Sequence, residues 1–369
     1  MMKNVEVLVI GAGVRGLSIA YSLAKAGVDV MVIEKRFVAA GASGLNMGLV
    51  NISGKEPEHY TQLSQMSANM YPNFAEELGA DIEYERNGSF PGIAKNPEDW
   101  ERLNQVVAER NQVADINMRM MDINEMRELE PEFSPQLLGG AYCPVDGGIN
   151  ALKLTRALAR AGLEKGVRIK SKCEVLDIRV SSNRIESVVT SLGTIGTHVV
   201  VNAAGIHVPA IAKMIGAEVP VFSERGQLII TEALPKFLSR PVESYKQFAD
   251  GQVLIGYANE RVGENTWVTT EMISRFAKEV IQVFPILKQA RAVRCAAALR
   301  PMTPDRLPIF DKVAGIKDFY IAVGHSGMTL APLTGKVFSD LITTGKTDIP
   351  ITEYGMERFH DNATKKLTN

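Results

Sequence analysis

A glycine-rich segment close to the N-terminus constrains the fold of this chain more than any other feature of its sequence. The run VEVLVI, residues 5–10, is apolar and rich in β-branched side chains, which is typical of a strand buried on both faces of a parallel sheet. It continues directly into GAGVRG, in which Gly11, Gly13 and Gly16 have the spacing G-x-G-x-x-G. A helical pattern follows, and then a second apolar strand that ends at Glu34. This order predicts a βαβ unit.

The residue types in this unit suit the binding of a dinucleotide. The first glycine permits a tight turn, the second lets the main chain approach a pyrophosphate, and the third lets the helix pack closely against the strand. Free N–H groups at the helix N-terminus attract phosphate, and Glu34 is placed to accept hydrogen bonds from a ribose. The alternative is a glycine-rich turn that serves only close packing. The residues predicted to bind the dinucleotide here are Gly11, Ala12, Gly13, Val14, Arg15, Gly16, Glu34 and Lys35.

Three small-residue segments farther along the chain favour a flavin over a nicotinamide. The segment AAGASGLNMGLVN, residues 39–51, is too poor in side chains for acid–base catalysis and suits a main chain that lies against a large flat ligand. VVVNAAG is a strand that ends in small residues, and GHSGMTLAPLTG predicts a helix from about Thr329 to Thr343. The N-terminus of that helix would stabilise negative charge at N1 and C2=O of a reduced flavin. The predicted flavin-binding residues are Ala42, Ser43, Asn46, Met47, Gly48, Leu49, Ala203, Ala204, Gly205, Gly324, His325, Gly327, Met328 and Thr329.

Charge and cysteine content argue against several other classes of function. The 369 residues include 41 Lys and Arg against 42 Asp and Glu, so the formal charge of −1 offers no basic field for nucleic acid. The three cysteines have no C-x-x-C or metal-ligand spacing, and we expect neither a metal site nor a disulfide. No apolar run is long enough for a transmembrane helix, and the N-terminal residues do not form a signal peptide. We therefore expect a cytoplasmic protein.

The order of the predicted elements indicates two interleaved domains. Parallel-type strands occur at both ends and in the middle of the chain. Between them QLIITEA, SYKQFAD and QVLIGYA predict antiparallel strands, followed by a helix from about Glu271 to Val283. The pair Asn87-Gly88 predicts a hairpin-type turn.

Motifs along essentially the whole chain resemble those of one enzyme family. They are, in order, VLVIGAGVRGLSIAYSLAKAGVDVMVIEK, RNGSF, YCPVDGGIN, VVVNAAG, ERGQLIITE, GQVLIGYANE, LRPMTPDRLPIF and YIAVGHSGMTLAPLTGK. The sequence is similar to the flavin-dependent amino-acid oxidases and dehydrogenases. These include D-amino-acid oxidase, glycine oxidase, sarcosine oxidase and the β subunits of bacterial proline, hydroxyproline and opine dehydrogenases.

The resemblance implies a fold of the α/β plus α+β class that binds FAD in an extended conformation. A Rossmann-like FAD-binding domain is then interleaved with a substrate domain built on a mixed, largely antiparallel sheet that covers the flavin. We expect residues 1–80, 145–220 and 300–369 in the FAD-binding domain, and residues 81–144 and 221–299 in the substrate-binding domain. The resemblance also implies a main-chain contact from Val175 to the adenine.

Arg300, in LRPMTPDRLPIF, is the main candidate for substrate recognition. It lies in an apolar stretch, where a guanidinium is costly unless an anion matches it. In glycine oxidase and D-amino-acid oxidase the arginine of the corresponding R-P sequence binds the substrate carboxylate, and the resemblance gives this role to Arg300. The alternative is a structural ion pair, for example with Asp305. Further candidates for the catalytic site are Tyr245, Tyr257 and His325; each tyrosine could instead belong to the core, and the histidine could serve backbone packing or face solvent.

The activity implied by the resemblance is that of an FAD-dependent oxidoreductase acting on CH–NH or CH–NH2 donors. A small amino acid or N-substituted amino acid with a neutral amine would transfer hydride from Cα to flavin N5, and the imine would hydrolyse. This chemistry needs positioning more than an acid–base pair. Sarcosine-oxidase-like members attach FAD through a cysteine where this chain has Ala298, with Cys295 three residues earlier, so we expect non-covalent FAD.

Three other functions stay open at this point. One is an FAD-dependent 2-hydroxy-acid dehydrogenase of similar fold. The second is the catalytic FAD β subunit of a heteromeric amine dehydrogenase of the proline, hydroxyproline or opine type, with further subunits as partners. The third is a non-catalytic nucleotide sensor, which would not need the small-residue segment at 39–51.

Overall fold

The computed structural model describes residues 4–113 and 115–359. The strands, numbered along the chain, are β1 (Val7–Ile10), β2 (Val30–Ile33), β3 (Leu49–Val50), β4 (Ser89–Ala94), β5 (Arg119–Asp122), β6 (Gly139–Cys143), β7 (Gly147–Gly148), β8 (Arg168–Lys170), β9 (Val175–Ser181), β10 (Arg184–Thr190), β11 (Gly193–Gly196), β12 (Val199–Asn202), β13 (Phe222–Thr231), β14 (Tyr245–Gln247), β15 (Val253–Ile255), β16 (Ala292–Met302), β17 (Ile309–Lys312) and β18 (Phe319–Val323). The α-helices are α1 (Val14–Lys25), α2 (Glu58–Leu78), α3 (Pro97–Val113), α4 (Ile123–Leu129), α5 (Ala151–Glu164), α6 (Val208–Lys213), α7 (Thr270–Val283) and α8 (Ala331–Thr344).

A six-stranded sheet contains the βαβ unit predicted from the sequence. Its strand order is β17-β18-β12-β1-β2-β8, and every neighbouring pair is parallel except β17 with β18. Alternate side chains of β1 enter two different cores. Val7 and Val9 pack in the core shared with α1, α5 and α8, whereas Leu8 and Ile10 pack in the core shared with β9 and β10. Because both faces of the sheet are covered, the strand can be apolar at every position.

Antiparallel sheets form the second part of the molecule. One has the order β14-β15-β13-β16, and another has the order β4-β6-β5. Both contribute to a single core in which Ile229 of β13 packs with Phe276 and Val280 of α7. The antiparallel strands and the helix predicted near residues 271–283 are thereby confirmed. The combination of a largely parallel sheet and antiparallel sheets also confirms the predicted fold class, while the domain boundaries stay predictions.

The hairpin predicted at Asn87-Gly88 is wrong. The strand β4 begins directly after this pair but is bonded to β6, far along the chain, and Glu85 forms only an isolated bridge to Gly148. Gly88 has φ of +92°, and a Cβ at this position would lie 2.3 Å from the hydroxyl oxygen of Tyr142. The glycine therefore marks the close approach of a tyrosine side chain to the backbone, not a two-residue hairpin loop.

Membrane-spanning helices and metal sites are two features that the sequence made improbable. Among residues 4–113 and 115–359, no helix combines the length and the apolar character that crossing a bilayer demands. In the same ranges no group of three or more His, Cys, Asp and Glu side chains is arranged to hold a metal ion. Cys143 and Cys173 are buried free thiols, and Cys295 is exposed.

Candidate active site

The three glycines after β1 differ in what they contact. Gly11 has φ of +106°, and a Cβ there would lie 2.6 Å from the main-chain oxygen of Ala203; a Cβ at Gly16 would lie 2.0 Å from the oxygen of Gly11. Both positions therefore require glycine for packing alone. A Cβ at Gly13 would meet only the hydroxyl oxygen of Ser43, at 3.2 Å. Packing therefore does not explain Gly13, and approach of the pyrophosphate stays the predicted reason for a glycine there.

The carboxylate of Glu34 lies beside this turn, at the end of β2. One of its oxygens accepts a hydrogen bond from the N–H of Ala12 at 3.0 Å, and the other accepts from the N–H of Arg36 at 2.8 Å. The side chain is half-buried, so the remaining lone pairs are available to a ribose. Lys35 faces the surface, where its ammonium is 2.8 Å from the carboxylate of Glu174.

Arg15 connects the start of α1 to the loop before α8. Its guanidinium donates to the main-chain oxygens of His325 at 2.6 Å and Gly324 at 3.4 Å, and to the hydroxyl of Thr334 at 3.2 Å. The side chain is buried and lies over the ring of Phe310. Burial lowers the pKa of Arg15 to about 10, so the group stays charged at neutral pH. No local sequence pattern indicates this contact, because the partners lie more than 300 residues away.

The small-residue segment 39–51 is hydrogen-bonded to the loop before α8. Thr329 accepts a hydrogen bond from the N–H of Asn51 and donates one to the oxygen of Leu49, each at 3.2 Å. At the other end of the segment, the hydroxyl of Ser43 accepts from the N–H of Val14 at 3.0 Å. The hydrogen bonds of Arg15, Ser43 and Thr329 thus join the turn after β1, the segment 39–51 and the loop 324–329 into one wall of nearly bare main chain.

Gly48 and Lys246 form a contact that sequence reasoning missed. Gly48 has φ of +71°, and a Cβ there would lie 2.0 Å from the oxygen of Ile149. The ammonium of Lys246 donates to the oxygens of both Gly48 and Ile149. Lys246 is buried, and burial lowers its pKa to about 7. A lysine on β14 therefore holds the small-residue segment against the chain that precedes α5.

Arg300 lies on the face of the four-stranded sheet that packs against the small-residue segment. The register pairs Glu224 with Arg300 and Gly226 with Ala298 on neighbouring β13 and β16. Leu228, on the same face of β13, packs with Leu45 and Met47. A Cβ at Gly226 would lie 2.4 Å from Nη2 of Arg300, so the guanidinium occupies the space that the missing side chain leaves. The Arg300 side chain is 21% exposed.

The contacts of Arg300 within the described residues position its guanidinium but use only Nη1 as a hydrogen-bond donor. Its Nη1 donates to the oxygen of Ala258 at 2.7 Å and to Oδ1 of Asn259 at 2.9 Å. The carboxylate of Glu224 is 3.7 Å away, and the ring of Tyr257 lies 5.0 Å from Cζ of Arg300. Burial lowers the pKa of Arg300.

The alternative role of Arg300 was a structural ion pair, for example with Asp305. Asp305 is the wrong partner, because its carboxylate accepts from Arg358 at 2.7 Å. An ion pair with Glu224, at 3.7 Å, stays as the structural alternative.

The two candidate tyrosines occupy different environments. Tyr257 is 47% exposed and contacts Arg300. Tyr245 is 4% exposed, on β14, and packs against Phe284 in the core beneath α7. β15 and β13 separate β14 from β16, which places these two strands about 14 Å apart. The register also sets Tyr245 in line with Cys295 and not with Arg300, so Tyr245 and Arg300 are farther apart than the two strands. Tyr245 is therefore a core residue and does not accompany Arg300 at the site, as its expected pocket-lining role would require.

His325 lies in the loop between β18 and α8. Its Nδ1 is 3.1 Å from the hydroxyl oxygen of Ser326, and its main-chain oxygen is bound by Arg15. Burial, and then the positive charges of Lys55, Arg300, Arg15 and Arg306, hold the pKa of His325 well below its usual range. The imidazole is therefore neutral at neutral pH.

The remaining predicted residues lie in or next to these segments, apart from Val175 on β9. The helix predicted from Thr329 begins at Ala331, and Tyr71 donates its hydroxyl proton to the oxygen of Met328. A Cβ at Gly327 would lie 3.1 Å from Val14. Ala203 is buried next to Gly11, where Ala204 and Gly205 follow β12. The other segment residues, Ala42 and Asn46, are half-buried, as is Val175 at the start of β9.

Comparison with known proteins agrees with this geometry. A family described as FAD dependent oxidoreductase matches residues 6–341. A subunit of opine oxidase from Rhizobium meliloti is 27% identical over 368 residues, covering 97% of this chain and 98% of that protein. The crystal structure of glycine oxidase from Geobacillus kaustophilus has a TM-score of 0.89 at 25% identity, covering 95% of this chain and 98% of that chain. L-proline dehydrogenase from P. horikoshii has a TM-score of 0.88 at 25% identity, covering 98% and 99%. The predicted FAD cofactor is thereby confirmed, and the chain belongs to the FAD dependent oxidoreductase family.

Proposed function

We propose that the protein oxidises the Cα–N bond of a small amino acid or of an N-substituted, secondary amino acid to an imine, which then hydrolyses. FAD supplies the hydride acceptor, N5 of its isoalloxazine. One observation carries the proposal: the mostly buried guanidinium of Arg300 lies on the sheet face that packs against the small-residue segment. A guanidinium in such a place binds a carboxylate in fork geometry and fixes its orientation.

The residues around Arg300 support positioning of the substrate. Gly226 leaves room for the guanidinium, and Asn259 and the Tyr257 ring restrain it. Nη2 makes no hydrogen bond within the described part of the chain, so it is available to a carboxylate. With the carboxylate bound, rotation about the bond between the carboxylate carbon and Cα directs the Cα–H bond toward flavin N5. This alignment is the geometric requirement of a hydride transfer.

The charge distribution supports a neutral substrate amine. The cations that hold down the pKa of His325 also disfavour a protonated amine close to it. A neutral amine has the lone pair that assists departure of hydride from Cα. The site thus favours the reactive protonation state without a dedicated general base.

An anaerobic titration followed by flavin absorbance tests the proposal. D-, L- and N-methyl amino acids should bleach the oxidised spectrum, and 2-hydroxy acids should not. Arg300→Met should raise KM at least about tenfold, because a charge-assisted hydrogen bond is lost, while FAD stays bound. Arg179→Met, which removes an exposed arginine of β9, is the matched control. Bleaching by 2-hydroxy acids alone would establish the hydroxy-acid alternative, and an unchanged KM in Arg300→Met would contradict the role of Arg300.

We propose further that FAD is held without a covalent bond. Ala298 faces the small-residue segment, whereas Cys295 pairs with Ile229 and points to the opposite face of the sheet. The other two thiols, of Cys143 and Cys173, are buried elsewhere in the cores. Precipitation with acid should release all the flavin into the supernatant; a yellow pellet would contradict this.

A heteromeric enzyme is the second candidate. The opine oxidase relative matches this chain over almost its whole length, and its name describes one subunit of a larger enzyme. If this chain works in the same way, amine should reduce the flavin of the isolated chain, but turnover with oxygen should be slow until other subunits are added. Light scattering and affinity purification from the native host, followed by turnover assays, test this candidate. Full turnover by the isolated chain would reject it.

A further inference from the structure

Glu224 is a buried carboxylate with one oxygen that lacks a hydrogen-bond donor. The residue lies on β13 and is 3% exposed. Its Oε2 accepts a hydrogen bond from Nη2 of Arg306 at 3.2 Å. Its Oε1 is buried and accepts no hydrogen bond from any residue that the structure describes. Because a buried acceptor without a donor is costly, Oε1 needs a donor that this part of the chain does not supply.

This oxygen lies next to the proposed carboxylate site. The register pairs Glu224 with Arg300, so both side chains project from the sheet face that packs against the small-residue segment. Oε1 of Glu224 is 3.7 Å from Nη1 of Arg300, which is beyond hydrogen-bond distance. Nη1 already donates to Ala258 and Asn259. Since the Arg300 side chain is 21% exposed, the unpartnered oxygen borders a guanidinium that is partly open to a ligand.

Glu224 and Arg300 offer complementary unused groups. Within residues 4–113 and 115–359, Nη2 of Arg300 is a donor without an acceptor, and Oε1 of Glu224 is an acceptor without a donor. In an α-amino acid the amine nitrogen and the carboxylate carbon are about 2.5 Å apart, as bond lengths and the angle at Cα dictate. Two side chains whose nearest charged atoms are 3.7 Å apart can therefore bind the carboxylate and the amine of one molecule.

We propose that Oε1 of Glu224 accepts a hydrogen bond from the N–H of the substrate amine while Arg300 binds the substrate carboxylate. This inference rests on the proposed amine oxidation. Glu224 takes no proton: the N–H bond stays intact, and the neutral nitrogen keeps its lone pair. One N–H held in this way fixes rotation about the Cα–N bond, which aligns the lone pair with the Cα–H bond that breaks.

The charges around Glu224 suit a nitrogen that is neutral before the reaction and cationic after it. The carboxylate lies between two guanidinium groups, 3.7 Å from Arg300 and 3.2 Å from Arg306, so the cluster does not favour a protonated amine. As hydride leaves Cα with both electrons of the C–H bond, the nitrogen shares its lone pair with Cα and an iminium cation forms. The contact with Oε1 therefore strengthens toward the transition state and lowers the barrier.

Two ligands of the same shape test the amine contact on the FAD-loaded protein. α-(Trifluoromethyl)alanine has no hydrogen on Cα, so it cannot be oxidised, and its fluorines lower the pKa of the amine enough to keep it neutral at pH 8. α-(Trifluoromethyl)isobutyrate has a methyl group in place of the amine. Perturbation of flavin absorbance and calorimetry give both dissociation constants without turnover. We expect the amino ligand to bind at least about tenfold more tightly, because only its amine donates to a charged acceptor.

Variants at Glu224 assign this preference to its carboxylate. Glu224→Met has no acceptor and should bring the ratio of the two dissociation constants to about one. Glu224→Gln keeps the shape of the side chain without its charge and should lower the ratio. It should also lower the limiting rate constant of anaerobic flavin reduction by sarcosine at least about tenfold, since the iminium loses its counter-charge. Glu279→Gln, which changes an exposed glutamate paired with Arg275 on α7, is the matched control.

A purely structural role of Glu224 would change the affinities of both ligands alike. Equal affinities in the wild-type protein would overturn the inference. A ratio that survives in both variants, or an unchanged rate of flavin reduction in Glu224→Gln, would overturn it as well.

These outcomes differ from failure of the proposed function. If amines are not substrates, sarcosine does not reduce the flavin of the wild-type protein, and Arg300→Met changes the affinity of neither ligand. If only the contact with Glu224 is wrong, sarcosine reduces the flavin and Arg300→Met weakens both ligands, while the ratio is the same in the wild type and in both Glu224 variants.

Discussion

The guanidinium of Arg15 donates a hydrogen bond of 2.6 Å to the main-chain oxygen of His325, although the two residues are 310 positions apart. Arg15 lies in the glycine turn after β1, and His325 precedes α8, so this bond joins the first and last segments of the wall that we propose binds the flavin. A second bond to Thr334 continues into α8. The side chain of Arg15 therefore connects α1 with the loop before α8 and with α8 itself. Its main chain remains at the N-terminus of α1, where phosphate is expected.

Replacing Arg15 should weaken both the fold and cofactor binding. Arg15→Met keeps an apolar chain of similar length but leaves the oxygens of Gly324 and His325 without their donor. Because buried acceptors without partners are costly, the free energy of unfolding of the FAD-free protein should fall by about 2–3 kcal/mol. The dissociation constant of FAD should rise, since the loop 324–329 loses its anchor. Urea unfolding and quenching of flavin fluorescence measure the two effects, with Arg179→Met as control. An unchanged dissociation constant of FAD would contradict the anchoring role.

Substitutions of the glycines in the G-x-G-x-x-G turn should separate an effect on packing from an effect on FAD binding. Gly13→Ala should fold normally, because the added methyl group meets only the Ser43 side chain, yet FAD affinity should fall at least about tenfold as the methyl group blocks the pyrophosphate. Gly11→Ala should instead destabilise the FAD-free protein, since φ of +106° and the oxygen of Ala203 exclude a side chain. Thermal unfolding with and without FAD distinguishes the two variants. Full FAD affinity in Gly13→Ala would show that this glycine has no ligand to accommodate.

Local sequence patterns were sufficient to predict the strands that frame the candidate site. The apolar run before Gly11 predicts a strand buried on both faces, and QLIITEA predicts an antiparallel strand, which is part of β13. Arg300 could be selected because a charged residue in an apolar stretch needs a partner. Each of these inferences uses only neighbours in sequence, together with the resemblance to a family.

The buried lysines could not be predicted in the same way. In SYKQFAD the alternation shows that Tyr245 and Lys246 face opposite sides, and a lysine normally takes the solvent side. Both are buried here, because α7 covers one face of the sheet and the small-residue segment covers the other. Lys55 lies in a turn between a loop and α2, where exposure is the usual outcome. Only the assembled tertiary structure buries these two lysines.

Lys246 should make stability depend on pH above neutrality. Its pKa is about 7 in the folded protein against an ordinary value of 10.5, so between these values the unfolded chain binds one more proton than the folded chain. The free energy of unfolding therefore rises with pH in this window, by at most about 1.4 kcal/mol per pH unit from this group, and gains nothing from it below pH 7. Lys246→Met should remove this rise. Urea unfolding of the FAD-free protein from pH 6.5 to 9.5 measures it.

The difference in free energy of unfolding between wild type and Lys246→Met, taken at each pH, isolates the contribution of Lys246 from that of the other groups that titrate in the same range. Lys336→Met is the control, because Lys336 is ion-paired and its pKa is raised, not lowered. It should reproduce the wild-type pH dependence. Parallel curves for wild type and Lys246→Met would show that the buried ammonium does not lose its proton in the folded protein.

Tyr257 should contribute to substrate binding through its ring. The ring lies 5.0 Å from the centre of the Arg300 guanidinium, and Tyr257 is 47% exposed, so its removal should leave thermal stability nearly unchanged. Tyr257→Phe keeps the cation–π contact and should keep KM, whereas Tyr257→Ala should raise KM about two- to fivefold. Trp267→Ala, which removes a more exposed aromatic side chain, is the control. If Phe and Ala at position 257 raise KM equally, the phenolic hydroxyl and not the ring binds the substrate, and the contact with Arg300 then has no part in recognition.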